Sequence, residues 1–205
     1  MEKVYLYIAN IEKIDVEAVL PKLSAERQAR VTRCVDIQTK RQRAASELVC
    51  AYAMRDLGEE NSLPLAFSCD ENGKPCIVGS KWDFNISHSG DIVCCAVGEN
   101  VKVGADVQMM EERDFIQLAK KFCSENEYVR LLRYGDEKLK SHFYEFWARK
   151  EAIAKRDGVK KYTSFREIDV TWWHVCCFER KGYMYAVAAD KAFELVVRDV
   201  PGNCL

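Results

Sequence analysis

Phe146-Trp147-Ala148-Arg149-Lys150-Glu151-Ala152-Ile153-Ala154-Lys155, FWARKEAIAK, holds neither Gly nor Pro and consists mainly of good helix formers, so it reads as a helix. At helical spacing Trp147, Glu151 and Lys155 fall at i, i+4 and i+8, which lines an aromatic ring, a carboxylate and an ammonium along one face, with Lys150 beside them. Glu151 four residues ahead of Lys155 is also an ordinary surface ion pair. The stretch acquires chemical meaning only from what surrounds it.

Working back from it, residues 103–107, VGADV, read as a strand that ends near Gln108. Gly104 inside a strand implies that something approaches the backbone closely there. Asp106 at a strand end and Glu151 on a helix form a common arrangement for Mg²⁺, and Gln108, pointing the same way as Asp106, could add a neutral oxygen. For Asp106 alone, a turn or cap residue is the plainer alternative. Residues 84–86 alternate into Ser87-His88-Ser89-Gly90, which places His88 at a strand end. There it is either structural or, with Lys74 and Lys150, part of a cationic pocket for a pyrophosphate. His142 and His174 read as structural. Ser87 and Ser89 lie too near His88 in sequence for a catalytic triad to be inferred, and no Gly-rich phosphate loop or zinc spacing occurs. Phosphate binding therefore has to rely on side chains.

Residues 24–43 concentrate Arg27, Arg30, Arg33, Lys40, Arg41 and Arg43, with Arg27 and Arg30 on one helix face by their spacing. A solvated basic face is the ordinary reading and a phosphate patch the sharper one. The 205 residues are 48% hydrophobic and 31% charged with a net charge of -1, so a real core is available and any anion site is local. The basic patch carries no recognisable nucleic-acid reading motif, so nucleic acid is not an expected partner. Ten cysteines occur without Cys-x-x-Cys, and pairs such as Cys94-Cys95 and Cys176-Cys177 sit in apolar runs as small buried hydrophobes. The apolar run in residues 1–13 is too short for a signal-peptide core or a membrane span. A reduced, cytoplasmic protein without disulfides or a membrane partner is expected.

Along the chain, residues 4–9 read as a strand and residues 16–20 as a short helix ended by Pro21, with Ser24 as the next N-cap. A core helix follows over 44–57, then strands at 65–69, 76–78 and 92–97, with a turn at 70–73. After a division between 100 and 101 come the strand at 103–108 and helices near 115–122, 124–134 and 142–156. Ser124 and Glu127 form a capping box. Strands are expected at 165–173, 175–180, 183–189 and 193–197. The run 90–97 is echoed in pattern by 182–189, and the second half, 101–205, is expected to repeat the first, 1–100, coarsely.

Assembled, these segments resemble the 4′-phosphopantetheinyl transferases of the pseudo-dimeric type that activates peptide and polyketide synthases. The match rests on Gly73-Lys74-Pro75, Phe84-Asn85-Ile86-Ser87-His88-Ser89-Gly90, Val103-Gly104-Ala105-Asp106-Val107 and Trp147-Ala148-Arg149-Lys150-Glu151-Ala152, in the family's order and approximate spacing. The resemblance implies an α+β fold of two similar α/β subdomains, 1–100 and 101–205, with coenzyme A in the cleft between them, and transfer of the phosphopantetheine arm of coenzyme A to a serine of an apo acyl or peptidyl carrier protein, with release of 3′,5′-ADP. It implies Mg²⁺ on Asp106, Gln108 and Glu151, and catalysis by Glu151, Lys155 and His88. Coenzyme A would be bound by Arg27, Arg30, Arg43, Gly73, Lys74, Pro75, Ser87, His88, Lys150 and Lys155. Gln108 departs from the pattern, since many members carry Glu there as a third acidic ligand. That departure keeps open a non-catalytic protein that binds coenzyme A or a carrier. The internal duplication makes a monomer the expectation, and the helix at 115–122, with Leu118, Lys120 and Lys121, is either a carrier-docking face or a plain amphipathic core helix.

Overall fold

The computed structural model describes residues 1–59, 63–158, 164–168, 170 and 174–205. The first half runs β1 (Glu2–Asn10), α1 (Val16–Val19), α2 (Ala25–Thr32), α3 (Ile37–Asp56), β2 (Phe67–Cys69), β3 (Pro75–Ile77), β4 (Trp82–Ser89) and β5 (Ile92–Glu99). The second runs β6 (Val103–Met109), α4 (Phe115–Phe122), α5 (Glu125–Leu131), α6 (Asp136–Asp157), β7 (His174–Arg180), β8 (Tyr183–Ala189) and β9 (Phe193–Asp199).

The two halves share a topology. β5 lies between β4 and β1, as β8 lies between β7 and β6, and all four pairings are antiparallel. Each hairpin turns at a positive-φ glycine, Gly90 or Gly182, which accounts for the echo between the two runs. The expected division at residue 100 does not hold for the last strand. β9 returns to the first sheet and pairs parallel to β1, giving the order β4-β5-β1-β9. Arg198 fastens it there, donating to the Tyr7 hydroxyl at 3.2 Å and pairing with Asp56.

Local chemistry explains the other differences from expectation. Pro21 does not stop α1 outright, because the chain continues into a 3-10 turn at Leu20–Lys22, where a proline in the first turn loses no needed hydrogen bond. α3 begins well before residue 44, behind Asp36, whose carboxylate accepts from Thr39 N at 2.7 Å. Apolar periodicity marks only the apolar part of a helix, and the helix-forming QTKRQR ahead of it is polar throughout and half-buried, so no apolar period records it. Of the strand expected over 165–173, residues Phe165–Glu167 form a 3-10 turn capped by Ser164, while residues 169 and 171 lie outside the described residues. Trp172 and Trp173, the end of that expectation, lie outside the described residues. Among the described residues no helix is long and apolar enough to cross a membrane.

Strand alternation builds three cores. Tyr7, Ala9, Val93 and Cys95 face α3, while Ala186 and Ala188 face α6. The opposite faces, Val4, Leu6, Ile8, Cys94 and Ala96 from one sheet and Val103, Ala105, Val107 and Val187 from the other, meet between the halves. Cys94 and Cys95 are fully buried, whereas Cys176 and Cys177 are only partly so, and all ten cysteines are free.

A polar seam joins the two sheets at their edges. β4 and β6 run alongside each other with a constant offset of 20 residues. Val103 N donates to Asp83 at 2.6 Å, Ala105 N to Asn85 at 2.9 Å, Val107 N to Ser87 Oγ at 3.3 Å and Met109 N to Ser89 Oγ at 2.9 Å. Side chains of one edge thus satisfy the backbone of the other.

Gly104 sits on this edge strand with the α6 backbone directly against it. A Cβ there would fall 1.9 Å from Ala152 O and 2.4 Å from Arg156 N. Gly104→Ala therefore has to push α6 away, and denaturant unfolding should show a loss of about 1–3 kcal/mol or more. Unchanged stability would mean that α6 does not ride on β6.

Candidate active site

A cleft of about 380 Å³ opens along the seam. Its walls come from Ser24, Glu26, Arg27 and Arg30 at the start of α2, from Ser46 on α3, and from Phe67, Ser68, Cys69 and Pro75 on the small hairpin. Phe84, Asn85, Ile86 and His88 from β4 complete it, with Lys155 reaching in from α6. Ser24 caps α2 by accepting from Arg27 N, and one turn of helix carries Arg27 to Arg30 along the rim.

Asp106 lies behind Lys155 and is 1% exposed. It accepts from Lys155 Nζ at 2.6 Å, from Ser87 Oγ at 2.9 Å and, on its other oxygen, from Gln108 Nε2 at 2.7 Å. Lys155 also donates to Ser87 Oγ at 3.0 Å. The group is assembled by the seam, because Ser87 is the β4 residue that receives Val107 N. It is completed by α6, because Ala152 over Gly104 brings the flanking Glu151 and Lys155 to β6.

The charges act on one another. Burial pushes the Glu151 carboxyl up, the nearby Asp106 charge pushes it further, and Lys155 opposes both. Burial alone would pull Lys155 down, yet Asp106, through charge and hydrogen bond, with Glu151 behind it, holds the ammonium above its ordinary value. His88 is pulled down by burial and then by Lys155, Arg43 and Arg27, which favours the neutral ring. Arg27 is pulled down by burial against the opposing pull of Glu47.

Among the described residues no three His, Cys, Asp or Glu side chains gather as a metal site. The donor set is still suited to Mg²⁺, which usually takes one or two carboxylates with waters and substrate phosphates. A half-buried carboxylate whose proton affinity is raised by burial and by the charge of a second, buried one is the arrangement a divalent cation relieves. Gln108 contributes an amide within bonding distance of Asp106, and a half-turn of that amide exchanges its nitrogen for its oxygen.

Several expected residues thus converge: Arg27, Arg30, Pro75, His88 and Lys155 line the cleft, Ser87 and Asp106 are bonded to Lys155 and Gln108 to Asp106, Glu151 is close enough to feel both Asp106 and Lys155, and Arg43 is close enough to act on His88. Gly73 forms a turn at φ 80° beside Lys74. Two lysines are corrected. Lys150 does not face the cleft: its ammonium pairs with Glu127 at 2.8 Å and donates to Phe165 O and Ile168 O, with the side chain 2% exposed. Lys74 is likewise turned inward, paired with Asp83 and donating to Val103 O at 2.8 Å, so it closes the seam and forms no pyrophosphate pocket with His88. Its burial pulls its pKa down against Asp83. His142 stacks on Tyr134 and contacts Glu145, a structural setting.

Sequence reasoning passed over Glu47, Asp83 and Ser46. For Asp83 the signal was a polar residue recurring every second position up to Ser89; for Glu47 it was a lone charge inside an apolar helical stretch.

Comparison with known proteins points the same way. The model for 4′-phosphopantetheinyl transferase, N-terminal, matches residues 12–100, and the 4′-phosphopantetheinyl transferase superfamily model matches residues 102–190. The chain is 34% identical over 141 residues to the 4′-phosphopantetheinyl transferase gsp of Aneurinibacillus migulanus, covering 68% of this chain and 58% of that protein. It is 28% identical over 145 residues to the 4′-phosphopantetheinyl transferase ffp of Bacillus subtilis, covering 70% and 64%. Against the 4′-phosphopantetheinyl transferase Sfp of Bacillus subtilis strain 168 it is 37% identical over 95 residues, covering 46% and 42%. The chain thus spans less than two thirds of the length of each of these relatives. With one model filling each half of a duplicated fold, the chain belongs to the 4′-phosphopantetheinyl transferase superfamily, in its two-subdomain, pseudo-dimeric form.

Proposed function

We propose that the chain transfers the 4′-phosphopantetheine arm of coenzyme A to a serine of an apo acyl or peptidyl carrier protein, with Mg²⁺, and releases 3′,5′-ADP. One observation carries the reading: Asp106, Lys155 and Ser87 are bonded together, their charges reach Glu151, and Lys155 of this group lines a cleft that Arg27 and Arg30 also line. A serine hydroxyl attacking an anionic pyrophosphate faces charge repulsion and its own weak nucleophilicity, and the cleft supplies groups for both.

Arg27 and Arg30, which line the cleft, take the 3′-phosphate of coenzyme A, since guanidinium groups suit a phosphate monoester. His88 and Lys155 address the pyrophosphate, and a phosphate beside His88 favours its protonated form against the cations that now oppose it. Glu151, with its proton affinity raised by burial and Asp106, is suited to take the serine proton nearer neutral pH than a free carboxylate would. Lys155 is one hydrogen bond from Asp106 and can turn to the departing phosphate. Mg²⁺, held by Asp106 and Glu151 with Gln108 or water, supplies positive charge that neutralises the pyrophosphate oxygens. The carrier, acidic around its serine, docks on α4, where Lys120 and Lys121 are exposed and Leu118 is half-buried. The enzyme acts as a monomer.

The test is intact-mass measurement of apo carrier protein incubated with the chain, coenzyme A and Mg²⁺. A phosphopantetheine mass gain is expected, lost on chelation of the metal and reduced by at least about 10²-fold in Glu151→Gln. Tight coenzyme A binding without any gain across several carriers would move the chain to a binding role. Gln108→Glu should lower the Mg²⁺ concentration needed for half-maximal rate, because a third carboxylate adds charge at the site. An unchanged metal requirement would remove Gln108 from the ligand set.

A further inference from the structure

Glu47 is the anomaly of the first half. It lies inside the buried stretch of α3, between Ala44 and Met54, and its side chain is 0% exposed. A carboxylate in such a position is costly unless hydrogen bonds and counter-charge surround it. Here they come from two other segments. Oε1 accepts from Ser24 N at 3.1 Å and from Leu65 N at 3.0 Å, Oε2 accepts from Ser24 Oγ at 2.8 Å, and Arg27 Nε stands 3.8 Å away.

These contacts converge on the start of α2. Ser24 is the N-cap of that helix, and the hydroxyl that donates to Glu47 also accepts from Arg27 N at 3.3 Å. Glu47 therefore holds both the backbone and the guanidinium of Arg27, a cleft-lining residue. Its contact is with Nε, so the two terminal nitrogens of the fork are left to other partners. Arg30, one turn on, is tied on its exposed side to Glu26 at 2.5 Å. Two like charges thus line the same cleft, with Arg30 opposing the charge of Arg27, and an anion bound there would meet both.

We infer that Glu47 is a positioning residue: through Ser24 and Arg27 it aims the cleft rim at a phosphate monoester and sets preference for coenzyme A over its 3′-dephospho form. The inference rests on the assignment of the cleft to coenzyme A. Glu47 touches no substrate, and its effect belongs in discrimination between the two nucleotides. A carboxylate that merely glued α2 to α3 would affect both alike.

Calorimetric binding of coenzyme A and of 3′-dephospho-coenzyme A to the full chain tests this, with Glu47→Gln and, as a milder change, Ser24→Ala. Glu47→Gln should weaken coenzyme A by about tenfold and the dephospho form by less than about twofold, so the preference collapses. Ser24→Ala should move the ratio in the same direction by a smaller factor, and it carries the test alone if Glu47→Gln does not fold. Equal weakening of both ligands, or an unchanged ratio, overturns the inference. Wild-type protein that modifies a carrier yet binds both forms alike also overturns it while leaving the transfer reading standing. Wild-type protein that binds neither form overturns both.

Discussion

The edge of β6 has to find hydrogen-bond partners, and β4 supplies them from its side chains. An unpaired buried N–H costs about 1–3 kcal/mol, so the N–H groups of the buried Val103, Ala105 and Val107 are a strong constraint on what may lie beside that strand. Asp83, Asn85, Ser87 and Ser89 meet that constraint at every second residue. The same alternation fixes the register between the halves, since a slip by one residue would turn the polar side chains away and bring apolar Phe84 and Ile86 to the seam. Lys74 closes the upper end by bridging Asp83 and Val103 O. Ser87 is then committed to lie against Asp106.

From this register the rest of the site follows. Gly104 lets α6 rest on β6 backbone to backbone, and Glu151 and Lys155 arrive beside Asp106 from a rigid helix. A buried carboxylate, a second whose proton affinity it raises, and an ammonium bonded to the first make a site of unlike charges held close together. The rim is built on a similar plan, with the buried carboxylate Glu47 beneath Arg27.

Much of this was legible in the chain itself. The Ser24 cap, the Ser124 and Glu127 capping box and the strand Tyr183–Ala189 are local features, and local chemistry fixes them. Gly104 correctly announced a close backbone approach, though not that the helix carrying Glu151 made it. Lys150 and Lys155 illustrate where reading by proximity fails. Each helical residue turns the direction by about 100°, so Lys150, next to Glu151 in sequence, points to α5 while Lys155, four residues on, shares its face. Lys74 and β9 were hidden for another reason: what they pair with is distant in sequence, and no periodicity records a partner. The seam lay in view as alternating Asp, Asn, Ser and Ser, but its meaning depended on an edge strand that only the folded chain brings alongside.

Native-state hydrogen exchange, read residue by residue along β6, tests the seam most directly. The outward amides of Val103, Ala105, Val107 and Met109 should exchange as slowly as the neighbouring amides of the same strand that face β8, because side chains of β4 hold them. Exchange at these four positions at the rate of a free sheet edge, with their neighbours protected, would mean that the halves are not joined this way and that Ser87 and Asp106 are not held together by register.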